Sequence, residues 1–570
     1  MGNSEPLAPP PPDPVNPQFH PPKPVERFPP LPPGEGRDEG PPSRFIAAMR
    51  VRSSGIAALH APRFHPLLVF TFLLAQLCLS LAAQPWSPNN PARGEALARQ
   101  YCQACHLFPS PDLLDKKTWG NTTLRRMAPL LGAARLNLDT RPDGLFLKEA
   151  QIFPQEPLLP EADWVAICQY YLETAPETAL PPLRRLPIAP TTARFQSEPV
   201  SHANMEPGVT LVRIEPSERR FFLGDARRRS LHVLSAQGLW KSSTPVASAP
   251  VCLTRDGDDY RLTLIGDIFP SDLRSGQIVT LHPEGTGFSV LPLLSGLQRP
   301  ADCAVVDLNS DGRKDLVVAQ FGNYLGKLSS FVQRDTGRFV EDPLVEFPGA
   351  IRTEVLDVNQ DQKPDLITLF GQAREGIYLL RNRGDGSFAW DPLLHFPPAY
   401  GSTSFELADF NGDGFPDILF TNGDNGDYPS PFKRYHGIRI FLNDGHFRFS
   451  EAWFYPLNGA FKAVARDFDQ DGDLDIAGIS FFADYSQTPA ESFVYLENQG
   501  ALRFTASSTP EANVGRWLTM DAGDLDGDGD MDLVLGSFID GPRTVPIPPQ
   551  LLEQWQTRRI AALILRNTSR

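Results

Sequence analysis

Cys102-Gln103-Ala104-Cys105-His106 is the densest piece of chemistry in this chain of 570 residues. Two thiols separated by two residues and followed at once by an imidazole match the attachment of c-type haem. The thiols add across the two vinyl groups of the porphyrin, and the imidazole ligates the iron. The spacing leaves two alternatives, a zinc site and a redox dithiol. Zinc would want further Cys or His nearby, and the region offers only Cys168. Elimination points to Met127 as the second axial ligand. Between the apolar leader and residue 190, His106 is the only histidine and Met127 the only methionine. Met/His ligation suits electron transfer because it raises the potential. Met127 follows His106 by 21 residues, a short spacing; the alternative is that Met127 packs a core and the iron is five-coordinate or lysine-ligated.

A second chemistry recurs downstream. Oxygen-bearing side chains occupy positions 1, 3, 5 and 9 of five loops. The first loop offers Asp307, Asn309, Asp311 and Asp315, the second Asp357, Asn359, Asp361 and Asp365. The third offers Asp409, Asn411, Asp413 and Asp417, the fourth Asp467, Asp469, Asp471 and Asp475, the fifth Asp524, Asp526, Asp528 and Asp532. Such oxygens converge on a hard cation, Ca2+, with a carbonyl available from position 7, so up to five ions are expected. Position 6 must turn sharply, hence Gly312, Gly414, Gly472 and Gly529. The second loop has Gln362 there, where a positive φ is costly, and is expected to bind most weakly or stay empty. The loops hold 19 aspartates, and such clustered charge repels itself unless a cation neutralises it. Polar hairpin turns without metal are the alternative.

These residues need scaffolds. GEALARQY (94–101) reads as a helix that ends at the first thiol. In 162–176 the apolar residues at 164, 165, 167, 168, 171 and 172 mark a helical face, with Cys168 as a small buried hydrophobe. PETALPPLRRLPIAPTT (176–192) reads as a semi-rigid spacer. Beyond it the Asp loops start 50, 52, 58 and 57 residues apart, a period that in short strands means propeller blades. Each blade adds an apolar strand, a turn and an aromatic tail, as in IYLLRNRGDGSFAW (377–390) and IRIFLNDGHFRFS (438–450). LHVLSAQGLW (231–240) and IVTLHPEGTGFSV (278–290) are copies without good Asp loops, and LILRNTSR (563–570) stops before its tail. Seven blades result. ARFQSEPV (193–200) is the candidate for the missing tail, so that both chain ends close one blade and remove its open edge. Cys252 and Cys303 are expected as inner-strand thiols.

Sixteen of the 58 prolines lie in residues 1–50, so 1–48 is expected to be an extended, disordered leader. A start at Met49 would leave it untranslated. In 49–83, PLLVFTFLLAQLCLSLAA (66–83) behind Arg50, Arg52, Arg63 and His65 reads as a secretory signal, with an uncleaved anchor as the alternative. Either places the rest outside the cytoplasm, in the periplasm or at the cell surface, with membrane contact only through that anchor. A net charge of −15 excludes a nucleic-acid binder, which needs a basic face. Six cysteines exclude a disulfide-built scaffold, and a single long apolar run excludes a polytopic membrane protein.

The five Asp loops resemble the FG-GAP/VCBS repeats of integrin-alpha-like propellers, whose loops bind calcium; the resemblance spans 193–570. Residues 86–176 resemble class I cytochrome c, with 94–101 as the first helix and 162–176 as the closing one. The whole order is similar to bacterial secreted VCBS-repeat proteins that carry an N-terminal cytochrome c domain. The resemblance implies a multidomain chain: a small all-α cytochrome c domain (86–176), a Pro-rich linker (177–192) and an all-β seven-bladed propeller with calcium-binding loops (193–570). It implies covalent haem c, calcium and an exported location, and it implies no substrate.

Three stretches break the repeat: 422–441, 481–493 and 515–524. Propeller loops on one face build sites, and Asp424, Asp427, Tyr428, Lys433, Tyr435, His436 and Asp484 form a polar constellation there; loop packing is the alternative reading. His436 is the one catalytic candidate, set against a structural histidine. Three functions follow. The first is an exported haem electron carrier whose propeller docks a redox partner protein or an extracellular ligand. The second is a haem-coupled propeller dehydrogenase that oxidises a small substrate, for which no repeated Trp docking motif and no dinucleotide fingerprint appears. The third is a surface adhesion module.

Overall fold

The structure, a computed structural model, describes residues 91–202, 206–426 and 432–569. The Pro-rich leader and the signal or anchor segment lie outside the described residues, as do Asp427 and Tyr428. No helix among the described residues is long and apolar enough to cross a membrane.

Seven four-stranded antiparallel sheets follow one another in chain order, the blades of a propeller. Their innermost strands are Val209–Glu215, Pro250–Asp256, Pro300–Val306, Ala350–Leu356, Ser402–Ala408, Ala460–Arg466 and Trp517–Gly523, here blades I to VII. In blades III to VII the strand after each Asp loop is buried along its whole length, from Asp315–Gln320 to Asp532–Ser537. Both its faces are covered by neighbouring blades, so its sequence is mainly apolar on both sides, as in Asp-Leu-Val-Val-Ala-Gln, and does not alternate. The outermost strands, such as Phe339–Val345, are largely exposed and read as mixed. The apolar clusters between the sheets each span two blades: Val317, Ala319 and Leu328 of blade III pack with Leu366, Phe370 and Leu380 of blade IV. Full burial of each such side chain contributes about 1.5–3 kcal/mol.

Side chains of the innermost strands pin neighbouring blades together at several seams. Thr210 donates to the Pro250 carbonyl (2.6 Å), and Thr254 to that of Cys303 (2.8 Å). The Asp302 carboxylate accepts the Thr353 N–H (2.9 Å), and Asp521 accepts that of Ile214 (2.8 Å), which joins blade VII to blade I. Cys252 and Cys303 stand on innermost strands as unbridged thiols.

The ring closes as the sequence suggests. Phe195–Ser201 pairs antiparallel with Ile560–Asn567 as the outermost strand of blade VII, in register from Phe195↔Asn567 to Val200↔Ala562. Phe195 is buried against Phe468, Phe493 and Tyr495.

Before the propeller, Pro91 opens a helix (Pro91–Tyr101) at the position where a missing N–H costs nothing. This helix crosses a second one, Glu161–Thr174, whose first turn carries Glu161 and Asp163. The crossing is close at Gly94: a Cβ there would sit 2.4 Å from the Ala166 carbonyl oxygen. Only glycine permits that approach. Ala98, Trp119, Ile167 and Tyr171 fill the space beside the crossing.

Antiparallel order puts the Asp loops at one end of the propeller and the long second-to-third-strand connections at the other. The helical segment sits on that other end. The Asp143 carboxylate accepts the Asp272 N–H of blade II (3.0 Å), Phe153 packs on Tyr324 of blade III (5.2 Å), and the Tyr435 hydroxyl of blade V donates to the Leu113 carbonyl (3.2 Å). The Pro-rich stretch, read above as a spacer, lies against blade VI. Ala189 exchanges backbone hydrogen bonds with Ala506 and Ser508 (both 2.9 Å), and Arg185 pairs with the buried Glu491. The outermost strand there, Phe504–Ser507, offers free backbone groups that the passing chain satisfies.

Replacing Phe195 by Ala should cost about 3–5 kcal/mol, the usual penalty for emptying a buried aromatic site. Thermal denaturation of the variant tests this; an unchanged melting temperature would show that the N-terminal strand does not close the ring.

Candidate functional site

The two thiols and the imidazole sit where the first helix ends. Cys102 begins a single 3₁₀ turn, Cys102–Ala104, and Cys105 follows it. Cys102 is half-buried in the helical core and Cys105 is exposed; neither is bridged. Burial pushes the Cys102 thiol up to about 11, against a hydrogen bond with Tyr171 that lowers it. Tyr171 in turn donates to the Pro109 carbonyl (2.9 Å). The His106 Nδ1 lies 2.8 Å from the Leu107 carbonyl. A carbonyl only accepts, so Nδ1 carries the proton and Nε2 keeps its lone pair for a metal. Burial lowers the pKa of His106, which favours that neutral ligand form. Two unbridged thiols and an imidazole so oriented fit a c-type haem in their donor chemistry. Met127 is half-buried on the helix Leu124–Leu130. Cys168, on the closing helix, packs against the same core as Cys102.

The five Asp loops share one backbone. In the first, the Asp307 carboxylate accepts the N–H groups of Asp311 (3.2 Å) and Gly312 (2.9 Å), and Asn309 accepts that of Asp311 (3.1 Å). Asp311 accepts that of Arg313 (2.9 Å). Position 6 is left-handed throughout, at φ +83° in Gly312, +85° in Gly414, +100° in Gly472 and +94° in Gly529. Gln362 holds it at +65°, a strain of about 1–2 kcal/mol for a residue with a Cβ. In the fourth and fifth loops, Asp467, Asp469 and Asp471, and Asp524, Asp526 and Asp528, bring three carboxylate oxygens within 4.8 Å of one another.

The ninth aspartate has a task that the spacing did not reveal. Asp315, Asp365, Asp417, Asp475 and Asp532 are all buried. One oxygen accepts the N–H of loop position 2, from Leu308 at 3.0 Å in the first loop to Leu525 at 3.2 Å in the fifth. The other accepts an N–H at the end of the blade's third strand, that of Gln333 (2.8 Å), Asn382 (2.7 Å), Asn443 (2.8 Å), Asn498 (2.8 Å) or Asn567 (2.9 Å). A role as metal ligand rests on the lone pairs these bonds leave over. Burial raises the pKa of all five, and that of Asp475 reaches about 7.

The polar constellation is only partly a cluster. Lys433 donates to the Asn425 amide oxygen (2.5 Å), and Tyr435 stacks on Tyr400 at 4.9 Å. Asp484 instead caps its own turn, accepting from Ser486 (3.2 Å) and Gln487 (3.0 Å). His436 is 3% exposed, and its Nε2 has no hydrogen-bond partner among the described residues. Burial, with Lys433 and Arg439 nearby, holds its pKa well below the ordinary value. Lys433 and Arg439, the charged groups that act on it among the described residues, both disfavour the imidazolium that a general base must become. A shallow crevice beside it is lined by Asp112 to Asp115, Ala179, Leu180 and Phe432 to Tyr435, where helical segment, linker and blade V meet. Arg516, flagged only by its stretch, is fully buried: it donates to the carbonyls of Phe481 (3.1 Å), Gly541 (3.1 Å) and Pro542 (2.7 Å) and ties two loops together.

Residues 357–420, from the second Asp loop into the strand after the third, match the FG-GAP-like repeat family. The chain is thus a seven-bladed propeller with FG-GAP-like repeats, an architecture typical of modules that bind ligands or partners. No curated protein matches it. Among solved structures it is similar to a streptogramin B lyase, at 14% identity and a TM-score of 0.41, over 66% of this chain and 98% of that one. It is similar to the N-terminal domain of Nup159, at 10% and 0.38, over 67% and 98%. Sqt1 of Saccharomyces cerevisiae gives 8% and 0.39, over 67% and 100%. These likenesses are too distant to bear on function.

Glu375 gives the propeller a pH dependence. It is buried on the second-to-third-strand connection of blade IV, where it accepts from the Ser402 N–H (3.0 Å) and hydroxyl (2.8 Å). Burial pushes its carboxyl from 4.5 up to about 7 despite those bonds. The unfolded chain releases this proton first, so stability is full below pH 4.5 and is lost as pH rises through about 7. The loss is on the order of 3 kcal/mol. Urea midpoints at acid and neutral pH should fall less in Glu375→Gln than in the parent; an equal fall would contradict the assignment.

Proposed function

We propose that the chain is an exported c-type haem electron-transfer protein whose calcium-loaded propeller docks a redox partner or ligand. The observation that carries this is the His106 imidazole. It follows the two thiols immediately, and its Nδ1 is committed to the Leu107 carbonyl, so Nε2 is left as a ligand atom. Cys102 and Cys105 would hold the porphyrin covalently, and His106 and Met127 would be the residues that ligate its iron. The bound haem would supply one-electron exchange at a potential raised by the thioether.

The remaining work falls to the chain itself. Tyr171 orients the Cys102 sulfur, and the crossing at Gly94 fixes the helix that delivers it. The helical segment docks on the propeller through Asp143, Phe153 and Leu113, so both halves would meet a partner as one body. At the opposite end the Asp loops would hold up to five calcium ions through positions 1, 3 and 5, with the second loop weakest because of Gln362. The apolar run at 66–83 supports export to the periplasm or cell surface.

The burial of His436 between Lys433 and Arg439 weighs against a haem-coupled dehydrogenase, which loses its proposed base. Haem-loaded, oxidised protein mixed anaerobically with pools of sugars, alcohols, amines and aldehydes should keep its oxidised spectrum. Rapid haem reduction by one pool would overturn the carrier reading and make the propeller an enzyme.

A further inference from the structure

The innermost strands turn charged side chains toward the propeller axis. Lys462 is the third residue of its strand in blade VI, yet the charges of Asp521 in blade VII, Arg213 in blade I, Glu406 in blade V and Arg352 in blade IV all act on it. A side chain can feel so many blades at once only across the axis. Arg352 likewise feels Asp302 of blade III and Glu406 of blade V. Solvent enters this space: side-chain exposure is 57% in Arg213, 38% in Arg352 and 15% in Asp521.

The channel so formed is blind. At the end that carries the helical segment, Phe461, next to Lys462, joins the apolar group of Phe481, Phe538 and Trp555. That group also takes in Ala226 of blade I, Ile268 of blade II and Phe432 of blade V, so it lies across the mouth and floors the channel. The innermost strands run from that end to the Asp loops. The third residue of each therefore stands near the floor, and the fifth nearer the opening.

The carboxylates of this wall have partners. Asp302 accepts the Thr353 N–H (2.9 Å) and the Cys252 thiol (3.1 Å). Glu354 accepts from Arg352 (2.8 Å), and Glu406 from Arg466 and the Ala465 N–H (3.3 Å). Asp521 accepts the Ile214 N–H (2.8 Å), with Arg213 at 3.9 Å. Lys462 is left over: its half-buried ammonium has no hydrogen bond and no ion pair among the described residues. Burial, with Arg352 and Arg213 near, lowers its pKa against the pull of Asp521 and Glu406. A cation so placed without a partner is costly. The groups level with it suit an anion. Arg352 holds the same third position in blade IV, and the flanking blades V and VII put the hydroxyl residues Ser404 and Thr519 there.

We infer that the axial channel is a binding site for a small oxyanion, a carboxylate or a tetrahedral group such as sulfate, held near the floor by the Lys462 ammonium with Arg352 and Thr519 level with it. The anion gives Lys462 the charge-assisted bond that the fold withholds. It enters from the Asp-loop end, because the other end is closed. The site needs neither the haem nor the calcium of the reading above.

Full-length protein is titrated by calorimetry with sodium sulfate, acetate and succinate, and with sodium chloride as the control for ionic strength. At least one of the three oxyanions should bind saturably, and the tightest tells a tetrahedral anion from a carboxylate. Lys462→Met keeps the stem and removes the charge, and should weaken that binding roughly tenfold or more. Because it removes an unpaired cation, the variant should melt no lower than the parent without anion. In the parent, the bound anion should shield Lys462 from a small acylating reagent, read by mass on the peptide that contains it. No saturable binding of any of the three, binding that Lys462→Met leaves unchanged, or acylation of Lys462 that the anion does not slow would each overturn the proposal.

Discussion

A carboxylate with both oxygens bonded to backbone stands at the base of five of the seven blades, and the propeller's loop geometry depends on it. Each ninth aspartate accepts one N–H from its own loop and one from the blade's third strand. The loop is thereby fixed to a strand two positions away in the sheet. The asparagine at that strand's end extends the tie: Asn382 donates to the Leu308 carbonyl of the preceding blade (2.8 Å), and Asn567 to that of Phe468 (2.7 Å). A buried charge with two good donors is tolerable; removing either partner would leave a cost of several kcal/mol. The side chains at positions 1, 3 and 5 of each loop then stay at least partly exposed, where a cation can reach the lone pairs that their own loop bonds leave over.

This constraint separates the two ends of the propeller. The end with the Asp loops is uniform because one bonded framework repeats there. The other end is free to vary, and it does. Its connections range from four residues in blade I, 226–229, to a helix, Pro549–Arg558, in blade VII. Trp555 on that helix packs with Phe481, Tyr485 and Phe538 in a small apolar core of its own. The helical segment that bears Cys102, Cys105 and His106 lies at this variable end. The thiols and the Asp loops thus lie at opposite ends of one scaffold.

Much of this was legible in the residues. The period of the Asp loops gave the blades, and the likeness of 193–200 to the repeat tails gave the closure, because both are repeating patterns tied to strand geometry. The left-handed turn at Gln362 was foreseeable from the glycines at the same position in its sister loops. What stayed hidden depends on which way a side chain turns. Asp315 and Asp311 are alike in sequence, yet one is buried in a backbone clamp and the other lies at the loop surface. His436 was open to two readings, a catalytic candidate and a structural histidine, because its neighbours are polar, and the structure buries it. The asparagines that end the third strands recur in Leu-Arg-Asn, Phe-Leu-Asn and Leu-Glu-Asn, a signal that was present and went unread. The Pro-rich stretch deceived for another reason: its composition reads as a spacer, and it instead satisfies an open strand edge.

The central claim is that Cys102, Cys105 and His106 hold a haem, and the peptide that contains them tests it most directly. Protein exported in a host that assembles c-type cytochromes is digested, and the fragment spanning 102–106 is weighed and its visible spectrum recorded. The account expects a coloured fragment heavier by one haem, with both cysteines blocked to alkylation. A colourless fragment of unmodified mass, with two alkylatable thiols or a disulfide between them, would contradict it.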